Sequence, residues 1–128
     1  FGLEIMGLLL RSEGDYLQAH KYFLESLRIS IDQENLQGIA NCLGALAGLA
    51  AKNDLPVQAA NLFAAADKLR QLIGARMAPN DQREYETQLN SLRLSMDDRA
   101  FSQAWTFGLG MTTDQIQEMA AELSQSQV

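Results

Sequence analysis

Few residues in this chain could carry acid–base, nucleophilic or metal chemistry. It has one histidine, His20, and one cysteine, Cys42. A lone imidazole with no second ligand at metal spacing forms neither a zinc site nor a catalytic triad, so we expect His20 to be a solvated or half-buried surface residue. Cys42 stands among small apolar residues with no histidine nearby in sequence. We therefore expect buried packing rather than a reactive thiolate.

The carboxylates are spread over predicted helix junctions rather than gathered in one cluster. The pairs are Glu13 with Asp15, Asp32 with Glu34, and Asp97 with Asp98. Carboxylates at helix ends cap free amides and interact with the helix dipole, worth about 0.3–1 kcal/mol each, which explains them without catalysis. Gly44 and Gly48 lack the lysine that a phosphate-binding loop requires. The sequence thus predicts no enzyme site, no cofactor and no metal in this segment.

Composition predicts one all-α domain. The chain has 128 residues, of which 47% are hydrophobic and only two are prolines, a composition that favours helices around a single core. The net charge of −6 opposes binding to a nucleic-acid backbone, which needs a basic surface. No apolar run reaches the roughly 18 residues of a membrane span. The single cysteine suits a reducing compartment, so we expect a cytoplasmic location.

A helical hairpin is repeated in the first part of the chain. Six apolar or small residues recur after 40 positions: Leu3, Met6, Gly7, Leu10, Ala19 and Phe23 return as Leu43, Leu46, Ala47, Ala50, Ala59 and Phe63. Their spacing matches the tetratricopeptide (TPR) pattern W-x2-L-G-x2-Y followed by A-x3-F, with a period longer than the usual 34 or so residues and without the closing proline. We therefore predict a TPR-like α-solenoid.

About seven helices are expected along the chain. Residues 1–33 form the first hairpin, 34–74 the second, and 80–124 the capping helices. Pro56 suits a helix start, Gly74 a helix end, and either Asn80 or Asp81 an N-cap. Gly108 and Gly110 are expected to end the helix that begins near Asp98, before a capping box at Thr112-x-x-Gln115 opens the last helix. Phe1 lies within the repeat pattern, so we expect a segment of a longer protein.

Aromatic and apolar residues near the C-terminus favour a cap over the last repeat. Phe101 and Trp105 are four residues apart and share one helix face, so they are expected in the core together with Phe107 rather than in a recognition patch. The last apolar face would be covered with the help of Met111, Ile116, Met119, Ala120 and Leu123. On this basis Trp105→Ala should cost about 3–5 kcal/mol.

Two segments resemble a known bacterial family. Residues 53–74 (NDLPVQAANLFAAADKLRQLIG) look like a last repeat, and Tyr85, Phe101-x3-Trp105-x2-Gly108 and the run 111–115 (MTTDQ) look like its terminal cap. Both are similar to the C-terminal TPR region of bacterial signal-transduction ATPases and LuxR-type transcriptional regulators. The resemblance covers almost the whole chain. It implies an adjoining nucleotide-binding switch domain, and repeats that sense a small inducer or dock a protein partner.

TPR geometry implies a concave groove lined by the first helix of each hairpin. The residues placed there are Glu4, Leu8, Arg11, Asn41, Gly44, Gly48 and Lys52. Gly44 and Gly48 would leave a trough for a peptide backbone, or would only let neighbouring helices approach. The favoured function is a module that binds a protein or peptide partner, or an inducer. The alternative is a scaffold that self-associates through exposed repeat edges.

Overall fold

The computed structural model describes residues 16–74 and 79–125. They form six α-helices: α1 (Tyr16–Asp32), α2 (Leu36–Lys52), α3 (Pro56–Ile73), α4 (Pro79–Ser95), α5 (Asp98–Leu109) and α6 (Thr113–Gln125). This part of the chain has no strand, so the all-α prediction is confirmed. The predicted helix at residues 1–12 lies outside the described residues. None of the six helices is both long and apolar enough to cross a bilayer.

Several helix ends lie where local signals predicted them. The Asn35 side chain accepts a hydrogen bond from the Gly38 amide at 3.1 Å and caps α2. Pro56 occupies the first turn of α3, and Gly74 ends that helix in the left-handed conformation, with φ 66°. The capping box of α6 is reciprocal, because the Thr112 amide donates to Gln115 Oε1 at 2.8 Å and the Gln115 amide to Thr112 Oγ1 at 3.2 Å.

One predicted boundary is wrong, and a second is right only in part. Helix α4 begins at Pro79 rather than after an N-cap at Asn80 or Asp81. Proline is favoured at a helix start, because the amide hydrogen that it lacks would have no intrahelical partner there. Helix α5 continues through Gly108 and ends at Leu109, with Gly110 as its C-cap. Gly108 is a packing residue instead: a Cβ there would collide with the carbonyl oxygen of Asn61 and lie 2.8 Å from the Ala64 Cβ.

The core is built around the α2–α3 pair, with α1 packed against α2. The described members of the repeated set are all buried: Ala19, Phe23, Leu43, Leu46, Ala47, Ala50, Ala59 and Phe63. The 40-residue period therefore marks core positions in both units. Burying a large apolar side chain contributes about 1.5–3 kcal/mol, so these positions supply much of the packing energy.

The C-terminal helices do not continue the stacking of α1 to α3. Helix α5, rather than α4, is the main neighbour of α3 on its free side. Helix α4 packs lightly, since Leu92 is its one buried residue and Leu94 is 89% exposed. Helix α6 returns to lie against α1. In a linear solenoid each unit contacts its sequence neighbours alone, so the contact between α1 and α6 departs from that arrangement.

Candidate functional site

The described residues of the predicted groove lie along one side of α2. Asn41 and Lys52 are exposed, Gly44 is half-buried and Gly48 is buried. At a rise of 1.5 Å per residue, Asn41 and Lys52 are about 16 Å apart along the helix axis. Between these two polar side chains, the same face of α2 carries Gly44, Ala45 and Gly48 and no large side chain. Glu4, Leu8 and Arg11 lie outside the described residues. We call the surface formed by Asn41, Gly44, Ala45 and Lys52 the α2 strip.

Arg70, on α3, reaches across to the middle of the α2 strip. Its Nη2 donates to the Ala40 carbonyl at 3.4 Å, and a Cβ on Gly44 would stand 3.1 Å from the same nitrogen. Gly44 thus leaves room for the guanidinium of a neighbouring helix. Nη1 of Arg70 is buried without a hydrogen-bond partner. Arg70 could not be predicted from the sequence, because a glycine indicates a close approach but not which side chain makes it.

An aromatic ring holds the guanidinium from the other side. The Arg70 Cζ lies 5.5 Å from the centroid of the Tyr85 ring, which meets Phe63 edge-on at 5.6 Å and 75°. Burial lowers the pKa of Arg70, against the opposing effects of Tyr85 and Asp67. Burial also raises the pKa of Tyr85 to about 12, with Asp67 adding to the rise and Arg70 opposing it. Tyr85 is consequently neutral at physiological pH, and the positive charge of Arg70 is only partly hydrated.

The expectation that His20 lies at the surface is wrong. Its side chain is 1% exposed, and its Nε2 is 2.6 Å from the carbonyl oxygen of Ala120. A carbonyl oxygen only accepts hydrogen bonds, so Nε2 of His20 carries the proton and donates a hydrogen bond to the carbonyl oxygen of Ala120. His20 is covered because α6 folds back onto α1, a long-range contact that the sequence around His20 does not reveal.

Cys42 is buried as predicted, with its Sγ donating to Ser26 Oγ at 3.3 Å. The carboxylate of Asp97 accepts a hydrogen bond from the Ala100 amide at 3.4 Å and so caps α5. Across residues 16–74 and 79–125, no group of three or more His, Cys, Asp or Glu residues is placed to hold a metal ion. These side chains have structural roles in the part of the chain that the structure describes.

The aromatic residues of α5 divide into two kinds. Phe101 and Trp105 stack at 5.7 Å with 25° between their ring planes, and they are partly buried against the core. Phe107 is 53% exposed, so its predicted place in the core is wrong. The helix period explains this, because Phe107 is two residues from Trp105 and points away from it. The residues expected to cap the last repeat are buried at Met111, Ile116, Ala120 and Leu123 and partly buried at Met119.

A small apolar cavity lies where α6 begins, on the other side of α3 from Tyr85 and α4. It encloses about 170 Å³ and is lined by residues of α1, α2, α3, α5 and α6: Ile31, Leu36, Ile39, Ala65, Lys68, Leu69, Leu72, Gly108, Met111, Thr113 and Ile116. Lys68 Nζ lies beside it and donates to the Leu109 carbonyl at 2.8 Å. Sequence reasoning missed this cavity, because its walls come from five helices that are far apart in the chain.

Comparison of the chain with protein-family models, with curated proteins and with solved structures gives no match.

Proposed function

We propose that this chain is a non-catalytic, TPR-like binding module that takes up a peptide segment of a protein partner along the α2 strip. One observation carries the proposal: the exposed Asn41 and Lys52 lie on the same face of α2 as the half-buried Gly44 and Ala45, which have no large side chain. The sequence resemblance implies that such a module belongs to a bacterial signalling or transcriptional regulator, and we propose that a bound partner or inducer shifts an adjoining switch domain.

The chemistry of the strip favours an extended peptide. Asn41 and Lys52 are exposed and offer N–H donors, and a peptide backbone presents a carbonyl at every residue. Lys52 is a cation, and the partly buried Arg70 adds a second positive charge beside this face, in a chain with a net charge of −6. The local positive charge therefore favours an acidic segment, through faster association and better charge complementarity.

A peptide-display selection against this chain, followed by titration of a selected 12-residue peptide, tests the proposal. We expect Lys52→Glu to weaken binding about tenfold, because it loses one ion pair and adds a repulsion. Reversing Arg11 and Lys52 together should abolish binding. Arg99→Glu, an exposed charge reversal on α5, is the matched control and should bind as the unaltered chain does. Equal affinities of all variants would place the peptide site elsewhere.

Self-association is a second candidate, and α4 is the feature that favours it. This helix buries Leu92 alone, and Leu94 is 89% exposed on it. A second copy would cover that leucine in an isologous dimer. Light scattering over a concentration series would then give a mass above 14.1 kDa, and Leu94→Glu would return the chain to a monomer. A concentration-independent monomer would exclude this role for the chain alone.

A further inference from the structure

We infer that the apolar cavity at the start of α6 binds a small carboxylic acid with a compact apolar body, of the size of an aryl or branched alkyl acid. The site is separate from the α2 strip and does not depend on it. Three features of the cavity carry the inference: its volume, its walls, and the position of one cation.

The volume fits one ring-sized group. The cavity has a volume of about 170 Å³ and is partly open to solvent, since Leu36 and Leu72 in its wall are exposed. An apolar protein cavity of about 150 Å³ takes up benzene. A sugar or nucleotide needs a larger site, since pockets for drug-sized ligands run from about 300 Å³ upwards. The size therefore selects a ligand with one ring or a short branched chain.

The walls are almost entirely aliphatic. Ile39 and Ile116 are more than nine-tenths buried, and Ile31 and Leu69 are partly buried beside them. Such walls offer few hydrogen bonds to a polar body, and the burial of each CH₂ of a ligand favours binding. The body of the ligand is therefore apolar.

One cation stands at the mouth of the cavity. Lys68 is the sole charged side chain among the described residues that line it, and its Nζ is 2.8 Å from the Leu109 carbonyl. An ammonium has three N–H donors, and this bond uses one of them. Thr113, on the same wall, is the first residue of α6, where the helix dipole adds partial positive charge. Asp114, also in the first turn of α6, offsets this partial charge, so Lys68 is the feature that favours a negatively charged head group.

The same walls couple the ligand to the C-terminal helix. Ile31, Ile39 and Leu69 belong to α1, α2 and α3, whereas Thr113 and Ile116 belong to α6. A ligand in the cavity touches both sides and so stabilises the docking of α6. Binding to the folded state raises the melting temperature by mass action.

Isoleucine methyl NMR of the whole chain tests the inference, with benzoate as the probe and benzyl alcohol as its uncharged analogue. Benzoate should shift the methyl signals of Ile31, Ile39 and Ile116 through the ring current, leave the exposed Ile29 unchanged, and raise the melting temperature. Lys68→Gln should weaken benzoate binding about two- to fivefold, the range for an exposed ion pair, and leave benzyl alcohol unaffected. Lys52→Gln, on the α2 strip, is the matched control and should change neither.

Ala65→Leu should abolish the binding of both benzoate and benzyl alcohol, because the larger side chain fills the cavity. The circular dichroism spectrum shows whether this variant folds. Several results would overturn the inference. They are equal affinity of the two probes, equal effects of the two lysine variants, shifts that include Ile29, or no shift in the unaltered chain. An acidic leucine-containing peptide that shifts the same methyl signals while benzoate does not would assign the cavity to a partner's side chain and would also overturn it.

Discussion

At the scale of single residues, the Arg70–Tyr85 contact is the most unusual interaction. The guanidinium is partly dehydrated, one of its nitrogens has no acceptor, and an aromatic face 5.5 Å away supplies part of the missing stabilisation. Leaving a buried donor unpaired costs roughly 1–3 kcal/mol. The cation–π contact with Tyr85 and the hydrogen bond from Nη2 to the Ala40 carbonyl offset part of this cost.

The raised pKa of Tyr85 predicts a loss of stability at high pH. Tyrosine in the unfolded chain ionises near pH 10, whereas Tyr85 in the fold ionises near 12. The fold thus favours the protonated form, so this contribution is complete below pH 10 and falls as the pH rises towards 12. We expect the free energy of unfolding of Tyr85→Phe to decline less between pH 10 and 12 than that of the unaltered chain. Parallel urea-denaturation profiles over this range would contradict the expectation.

His20 and Cys42 show how far the burial of a side chain can be predicted from the sequence. The burial of Cys42 was predictable, because the small apolar residues around it belong to its own helix. The burial of His20 was not, because its partner Ala120 is 100 residues away. Local composition describes the helix that carries a residue, but it does not identify the helix that later covers it.

At the scale of helices, Gly108 fixes how closely α5 approaches α3. Gly108→Ala should destabilise the fold by about 1–3 kcal/mol, the usual cost of overpacking, because the new Cβ meets backbone that cannot move aside. Gly110→Ala is the matched control: the nearest atom to a Cβ there is 3.8 Å away and its φ is −98°. Chemical denaturation of both variants measures the difference. Equal stabilities would mean that α5 lies farther from α3.

Trp105→Ala should lower the free energy of unfolding by less than the loss of a fully buried tryptophan would. Because Trp105 is only partly buried, we expect roughly 2 kcal/mol instead of the 3–5 kcal/mol of a wholly buried aromatic. Phe107→Ala, on the exposed side of the same helix, should change stability by less than about 0.5 kcal/mol. Urea denaturation followed by circular dichroism measures both. A loss below 1 kcal/mol for Trp105→Ala would place the indole at the surface.

Helix positions were largely readable from the sequence, and their packing was not. Gly74 and the Thr112–Gln115 pair satisfy backbone groups within a few residues, so their types alone mark helix ends. The pairing of α3 with α5, the place of Arg70 and the apolar cavity all depend on residues far apart in the chain. The repeat predicted the buried positions that the structure describes in α1 to α3, whereas α4 to α6 have no repeated pattern that would mark theirs.

At the scale of the whole molecule, α6 joins the two ends of the described structure. Ile116, Ala120 and Leu123 are buried, and the His20 side chain binds the Ala120 carbonyl across the contact between α1 and α6. This hydrogen bond connects the first and the last of the described helices, whereas in an open solenoid the final repeat would have one face uncovered.

Loss of that hydrogen bond should loosen α6 selectively. His20→Phe keeps a ring of similar size but leaves the Ala120 carbonyl without its donor, at a cost of about 1–3 kcal/mol. We expect faster amide hydrogen exchange throughout α6, with the α2–α3 pair still protected. Lys21→Ala, at the exposed neighbouring position, should leave exchange unchanged. Unaltered exchange in α6 of His20→Phe would show that apolar packing alone holds this helix.

The contact between α1 and α6 also determines how long α1 stays uncovered during synthesis on the ribosome. Chains elongate at about 5–20 residues per second, so the 100 residues between His20 and Ala120 take roughly 5–20 s to make. Throughout that interval the face of α1 that α6 will cover is exposed to other nascent chains and to chaperones. The synthesis of α6 therefore determines when α1 is protected from aggregation.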